Sequence, residues 1–313
     1  MAKKLKNMKA IVYTEFGNSD VIKVIETDSP TIKDDEVLIR SFAVSVNPAD
    51  IKYRKGLMQQ RLPVQLPYTP GLDVAGTIEA IGKNVTRLKV GDKVFGGKHG
   101  NNYAEYVSLK ESDTSIMPSN IGFNEAAALV VPLVTAYSFL IENGEVQKGQ
   151  RLLIQGITGG TGQIILQMAK SLGMYVIGTA STSGIDHIKS LGADEVIDYK
   201  KDDFTTLVND IDLVIDLVGG ETQTNSFKTL RKGGKFFSGT MPPSQELAKE
   251  YGVEAKFIAS TYSYKKLEYG KKLVEEGKIK PQTLTTMKLE DAAKAQDILS
   301  KGGVNGKIIL EIN

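Results

Sequence analysis

Four glycines fall within seven residues at Gly156-Ile157-Thr158-Gly159-Gly160-Thr161-Gly162. An apolar run, Arg151–Gln155, precedes them, and a helical pattern over Gly162–Leu172 follows. A strand, a glycine loop and a helix start together make an anion site. The helix N-terminus offers unpaired N–H groups and a partial positive charge. A pyrophosphate can come close only where no Cβ intervenes, which points to Gly159, while Gly162 lets the helix pack tightly on the sheet. These two keep the spacing of the second and third glycines of G-x-G-x-x-G; Ile157 stands at the first, with Gly156 just before it. A tight strand–helix turn without ligand would use the same glycines. The βαβ pattern around the loop favours a dinucleotide.

The second strand decides which dinucleotide. An NAD site carries an acid about 20 residues on, for the ribose 2′-hydroxyl. Here the strand ends Gly178-Thr179-Ala180-Ser181-Thr182-Ser183, and no carboxylate follows until Asp186. Small hydroxyl side chains leave room for a 2′-phosphate and can donate to it. No Lys or Arg adjoins them, so positive charge must come from Lys200 and Lys201 beside Tyr199, or from Lys307.

Other chemistries are bounded by what is scarce. The chain has no cysteine and two histidines, His99 and His187. Disulfides, thiolate nucleophiles and Cys–zinc sites are excluded, and a cytoplasmic location is expected. With 39 basic against 37 acidic residues, nucleic acid is not an expected partner. No uninterrupted apolar run approaches the roughly 18 residues of a membrane span, so no membrane role is expected. Residues 1–7 are basic without an apolar signal core and read as an extension.

The 313 residues suffice for two domains. Residues 10–13, 21–26, 36–46, 74–81 and 90–95 read as strands, punctuated by Gly and Pro. Residues 124–142 change to helical spacing. Strands and helices then alternate: strands at 151–155, 175–179, 195–197, 211–216, 235–239 and 254–259, helices at 162–172, 185–191 and 223–230. Such alternation implies crossovers and a parallel sheet. Helices at 264–276 and 289–301 and a strand at 307–312 close the chain.

Several segments together carry a family resemblance: "VSVNPADIKYRKG" (44–56), "PGLDVAGTIEAIG" (70–82), "VGDKVFG" (90–96), "AALVVPLVTAYSFL" (127–140), the glycine loop, "LGADEVIDY" (191–199), "IDLVIDLVGG" (211–220), "LRKGGKFFSGT" (230–240) and "NGKIILEI" (305–312). From about Met8 onward the chain resembles the medium-chain dehydrogenase/reductases, in their zinc-independent, zeta-crystallin-like quinone-oxidoreductase branch. The resemblance implies an α/β protein. A GroES-like β-barrel catalytic domain, residues 1–123 plus 262–313, would carry an inserted Rossmann domain with a doubly wound parallel sheet, residues 124–261. The nicotinamide would lie in the cleft between them.

Zinc-dependent relatives place a Cys at Asn47 or Pro48 and a His within G-H-E, which here reads Gly71-Leu72-Asp73. Leucine cannot ligate, so no metal is expected. The implied reaction is zinc-independent hydride transfer from NADPH to quinones or other conjugated carbonyls, such as enones and 2-alkenals. An enoyl-thioester reductase and a non-catalytic nucleotide-binding protein are the alternatives. The resemblance also assigns residues. Asn47 and Pro48 would lie beside the nicotinamide ribose and substrate, with Thr135 approaching from the long helix. Gly156, Thr158, Gly159, Gly160, Thr161 and Gly162 would hold the pyrophosphate, and Ser181 and Tyr199 the adenosine phosphate. Val218 and Gly219 would line the adenine ribose; Ser238, Gly239 and Thr240 the nicotinamide half; Asn305 and Lys307 would close the site. Asn47 and Tyr53 are the candidate catalytic side chains, Tyr53 as proton donor. Asp50 fits a helix N-terminal charge as well as chemistry, and His99 reads as a loop residue. A homodimer through the strand near 254–259 is expected by family analogy.

Overall fold

A computed structural model describes residues 7–312 of the protein. The expected extension, residues 1–7, lies outside them except for Asn7, which opens the first strand. In chain order the elements begin β1 (Asn7–Val12), β2 (Lys23–Asp28), β3 (Glu36–Val46), α1 (Pro48–Arg54), β4 (Val74–Ile81), β5 (Lys93–Gly96), β6 (Tyr106–Lys110), β7 (Thr114–Ile116) and α2 (Phe123–Tyr137). The middle of the chain forms β8 (Arg151–Gln155), α3 (Gly160–Ser171), β9 (Tyr175–Ala180), α4 (Ile185–Ser190), β10 (Glu195–Asp198), α5 (Phe204–Leu207), β11 (Ile211–Asp216), α6 (Gly220–Ser226), β12 (Leu230–Ser238), α7 (Gln245–Tyr251) and β13 (Glu254–Phe257). The tail adds α8 (Tyr264–Glu275), β14 (Leu284–Lys288), α9 (Ala292–Ser300) and β15 (Lys307–Glu311).

The chain divides into two compact units. One comprises the residues through Val131 with Tyr262–Glu275 and the tail from Pro281; the other comprises Pro132–Thr261 with Glu276–Lys280. The division falls inside α2, at Pro132, whose ring removes a helical hydrogen bond. The helical stretch Phe123–Asn143 has 21 residues and a mean hydropathy of 1.5. By length and composition it could cross a membrane, yet 67% of its most apolar window is buried inside the protein. Interrupting Asn, Glu and Ser residues hid it from a search for unbroken apolar runs.

The first unit is organised by β3, eleven residues rich in β-branched side chains. Its sheet runs β14-β15-β3-β4-β5-β7, with β6 also pairing β3. The last strand therefore joins the first half of the chain: Ile308 pairs with Val46 and Leu310 with Val44. Val37, Ile39, Val44, Val74, Ile308 and Leu310 meet in one core. The β1–β2 pair is a separate antiparallel ribbon.

The second unit is a six-stranded parallel sheet in the order β10-β9-β8-β11-β12-β13. Counting its strands from β8, that order is 3-2-1-4-5-6, the doubly wound dinucleotide arrangement, with the order reversing between β8 and β11. Its strands are near-continuous apolar runs because helices cover both faces: Leu152, Leu153 and Ile154 are all fully buried. Phe227 and Phe236 stack at 4.3 Å in its core.

Candidate active site

Nucleotide chemistry in the second unit belongs at the carboxyl ends of the strands, beside the reversal of strand order. Gly156 follows β8 with φ +81°, a left-handed conformation that a side chain would strain. A Cβ there would lie 3.2 Å from Val218, which follows β11, so the two loops of the switch point face each other. The helix α3 begins at Gly160, two residues before the expected start, and Gly159 is its N-cap. As a glycine it contributes no capping side chain of its own.

Gly159 and Gly162 do different work. A Cβ at Gly162 would lie 2.4 Å from the Gly156 carbonyl oxygen and 2.8 Å from Ile157 Cα, so this glycine is required by the fold. A Cβ at Gly159 meets only the Gly156 oxygen, at an ordinary 3.5 Å. The space in front of Gly159 is open, at a helix N-terminus. This cradle fits a pyrophosphate. Thr158, Gly160 and Thr161 complete the loop and are partly exposed.

Ser181 follows β9 and Tyr199 follows β10, and the Tyr199 N–H donates to the Ala180 carbonyl at 3.1 Å. The two predicted adenosine-phosphate residues are thus neighbours. Tyr199 is 52% and Val218 54% exposed, apolar faces offered at strand ends. Lys200 Nζ stands 5.3 Å from the Tyr199 ring centroid. Next to Tyr199 in the chain is a carboxylate that sequence reasoning missed. Asp198 ends β10 opposite Ala180 and accepts from Thr182 Oγ1 at 2.5 Å and from Lys200 N at 3.1 Å. Lys201 lies 3.5 Å away. The Thr182 hydrogen bond, the Lys200 N–H and the Lys201 charge hold its carboxyl below the usual range. Its signal in sequence is an apolar strand ending in an acid, Val-Ile-Asp.

A second missed carboxylate organises the remaining loops. Asp216, fully buried at the end of β11, accepts from the N–H groups of Val218 and Gly219 at 2.9 and 2.8 Å. Gln223 Nε2 and Ser238 Oγ donate to its other oxygen at 2.9 and 3.0 Å. Gly239 N–H bonds the Asp216 carbonyl, and Thr240 Oγ1 approaches Ser238 Oγ at 3.1 Å. Gly219, Ser238, Gly239 and Thr240, all expected at the cofactor, are therefore held by one residue. Ser238 is itself fully buried, its hydroxyl engaged within the protein. Thr135 sits partly buried in the segment of α2 that belongs to this unit.

In the first unit, Asn47 caps α1 and Pro48 takes its first position, where a missing N–H costs nothing. Asn47 is 3% exposed and every polar atom of its carboxamide has a partner. Nδ2 donates to Asp73 Oδ2 at 3.0 Å and reaches the Ser45 carbonyl at 3.2 Å; Oδ1 accepts from Lys307 Nζ at 2.6 Å. Asp73 also accepts from Ser45 N and Oγ, each at 2.7 Å, and Lys307 Nζ lies 4.0 Å from it. Burial pushes the Asp73 carboxyl up and the Lys307 ammonium down, and each draws the other back toward its charged form. The Lys307 ammonium is buried and bound here, which removes it from the groups that could meet a 2′-phosphate. Asn305 is exposed in the loop before β15.

Asp50 bonds Asn47 N at 2.8 Å, Gly71 N at 3.0 Å and Tyr103 Oη at 3.0 Å. Burial pushes it up to about 7. Its partners hold α1, the Gly71 turn and Tyr103 together, a positioning task. Tyr53, one helical turn on, is 4% exposed, and its Oη lies 3.3 Å from His99 Nδ1. Burial first, then Asp50, raises the phenol. The residues at the expected zinc-ligand positions are Asn47, the buried Leu72 and the hydrogen-bonded Asp73, a set that does not fit zinc. Among the described residues no group of three or more His, Cys, Asp or Glu side chains converges.

Comparison with known proteins agrees with this geometry. The family described as "Alcohol dehydrogenase GroES-like domain" matches residues 33–132, and that described as "Zinc-binding dehydrogenase" matches residues 191–310. Quinone oxidoreductase from Homo sapiens is 32% identical over 329 residues, covering 99% of each chain. NADPH-dependent alkenal/one oxidoreductase from Arabidopsis thaliana is 34% identical over 291 residues, covering 88% of this chain and 72% of the relative. The structure of the quinone oxidoreductase from Coxiella burnetii superposes with a TM-score of 0.90 at 32% identity, covering 98% of this chain and all of the other.

Proposed function

The chain belongs to the medium-chain dehydrogenase/reductase family, in its zinc-independent quinone-oxidoreductase branch, and we propose that it transfers hydride from NADPH to quinones or other conjugated carbonyls such as enones and 2-alkenals. One observation carries this reading: the open cradle before Gly159, at the start of α3 and at the switch point of a 3-2-1-4-5-6 sheet. When bound, NADPH supplies the hydride. The chain's residues bind and orient. Gly159 admits the pyrophosphate to the α3 N–H groups, and Tyr199, Ser181 and Lys200 receive the adenosine phosphate. Asp216 fixes Gly219 and, through Ser238, the loop to Thr240.

Acceptor chemistry follows from what the first unit lacks. Among the described residues no set fits a zinc that could stabilise an alkoxide, so simple alcohols are poor substrates. A conjugated acceptor spreads the incoming charge over its own π-system and needs one proton, which Tyr53 supplies. Loss of NADPH absorbance with a panel of quinones, 2-alkenals and crotonyl-CoA tests this. Turnover of quinones or alkenals supports the reading, and a preference for the thioester would replace it with an enoyl-thioester reductase. Nucleotide binding without turnover would leave a binding protein. The reading includes a cytoplasmic homodimer pairing through β13, which among the described residues bonds only β12 in the sheet and bears exposed Lys256 and Phe257. A monomeric mass in solution would remove the dimer.

A further inference from the structure

Tyr53 poses a supply problem. A phenol that gives up its proton must recover one from water, and this phenol is almost entirely sealed from solvent. The structure places one group at its oxygen, the imidazole of His99, whose Nδ1 is 3.3 Å from Tyr53 Oη. His99 comes from the loop after β5, 46 positions along the chain, and is exposed. It is held edge-on against Tyr262, with ring centroids 5.7 Å apart, and against Tyr53, at 6.4 Å. Tyr68 also packs against Tyr53, with ring centroids 6.1 Å apart. The pair therefore has a dry end and a wet end, and aromatic rings keep it aligned.

We propose that His99 is a positioning residue for Tyr53 and the conduit through which solvent protons reach the buried phenol. This rests on the hydride-transfer reading above. Hydride addition leaves the conjugated acceptor as an enolate, or as a hydroquinone anion from a quinone. The Tyr53 O–H bond breaks and its proton passes to that anion. The Nδ1–H bond of His99 then breaks, and its proton passes to the phenolate oxygen. Nε2 takes a proton from water, and exchange with water restores the starting tautomer. One solvent proton is consumed per hydride, and no other reductant is required. The raised phenol supports this order, since Tyr53 keeps its proton at neutral pH until a strong base forms beside it. The cost of a misaligned imidazole would fall on the proton step and leave nucleotide binding intact.

The scheme requires Nδ1 of His99 to carry hydrogen, the tautomer less favoured by a free imidazole. With only two histidines in the chain, nitrogen-15 imidazole spectra of the full-length protein without nucleotide are readily assigned. His187 is an internal contrast, because its Nε2 faces Gln163 Oε1 at 3.1 Å. We expect His99 as the Nδ1–H tautomer in wild type, shifting toward Nε2–H in Tyr53→Phe. With NADPH and a 2-alkenal, His99→Ala should lose at least about tenfold in kcat, the lower part of the general-acid range. Added imidazole should restore much of it, and Tyr53→Phe in the same chain should cost no more. An Nε2–H tautomer in wild type overturns the proposal. So does an active wild type with His99→Ala within about twofold of it, a loss that imidazole fails to restore, or additive losses in the double variant. A wild type inactive on every acceptor removes the hydride-transfer reading and the conduit with it.

Discussion

The Lys307 ammonium lies 2.6 Å from the Asn47 carboxamide oxygen, joining residues 260 positions apart in a buried pocket. Asn47 was expected at the substrate, yet its amide is a bridge between Lys307 and Asp73. Removing it leaves a buried cation without its nearest acceptor. Asn47→Ala should therefore lower unfolding free energy by about 1.5–3 kcal/mol, the range for hydrogen bonds to charged groups. It should also reduce kcat/KM by roughly tenfold or more. Urea titration and steady-state kinetics measure both. Lys307→Met should be non-additive with it. Additive stability losses, or an unchanged stability in either variant, would sink the bridge.

The two loop glycines separate fold from ligand. Gly159→Ala places a methyl into open space, so thermal stability should hold while NADPH Kd rises at least about tenfold. Gly162→Ala drives a methyl into the Gly156 carbonyl and should cost about 1–3 kcal/mol of stability. Calorimetric unfolding and nucleotide titration on both variants decide it. Equal NADPH binding by Gly159→Ala and wild type would move the pyrophosphate elsewhere.

Nucleotide preference depends on a crowded corner. NADPH should bind about ten- to hundredfold tighter than NADH, set by hydroxyl groups and Lys200 in place of an adjoining arginine. Ser181→Asp should erase much of that margin by repulsion. Asp198→Asn should widen it, by roughly two- to fivefold, by removing a neighbouring negative charge. The Kd of both nucleotides for all three proteins is the measurement. Tighter NADH binding by wild type refutes the assignment.

Asp50 gives stability a pH dependence of defined sign. Its folded value is pushed up to about 7, above that of an unfolded carboxylate. Below about pH 4 it is protonated in both states and contributes no slope. Between there and about 7 the folded protein holds a proton that the unfolded chain has released. Stability from this group therefore falls as pH rises, by up to about 1.4 kcal/mol per unit, and levels off above 7. Asp50→Asn should be less stable at low pH, losing a bond to Gly71 N or its neighbours, but its stability should lack that slope. Parallel pH profiles of the two proteins would contradict the assignment.

Metal removal should change nothing, because Leu72 and the engaged Asp73 offer no ligand set. Turnover should survive prolonged dialysis against EDTA, with well under one zinc per chain by elemental analysis. Stoichiometric zinc that turnover requires would overturn this.

What could be read before the structure was what repeats or alternates. Strands β3, β4, β8 and β11 have the expected bounds because they are rich in apolar residues and lie between turn residues. Strand β14 was missed: Leu-Thr-Thr-Met-Lys is half exposed and shows no clear period. Helix α1 has seven residues, too few to reveal a face, although Asn-Pro-Ala-Asp marks its start. The glycine loop was legible because its chemistry is local. The carboxylate roles were not. Asp50 takes its donors from Gly71 and Tyr103, and Asp216 from Gln223 and Ser238, partners that only the folded chain assembles. His99 had one signal, its rarity, and nothing linear tied it to Tyr53.

Strand β15 lies against the Ala43–Val46 end of β3, so the final residues of the chain fill an edge laid down near its beginning. On a ribosome that edge must wait. All six strands of the nucleotide-binding sheet emerge first, and that unit lacks only the short Glu276–Lys280 segment when Thr261 has been made. Asn47, meanwhile, has no Lys307 to meet. The order of birth is therefore inverted with respect to the order of completion: the middle matures ahead of both ends. An open strand edge held during synthesis is a site for wrong pairing. Nascent chains arrested just after Thr261 should show a protease-resistant middle and a cleavable Ala43–Val46 segment, and protection of that segment should arrive only in chains long enough for Lys307–Glu311 to have emerged.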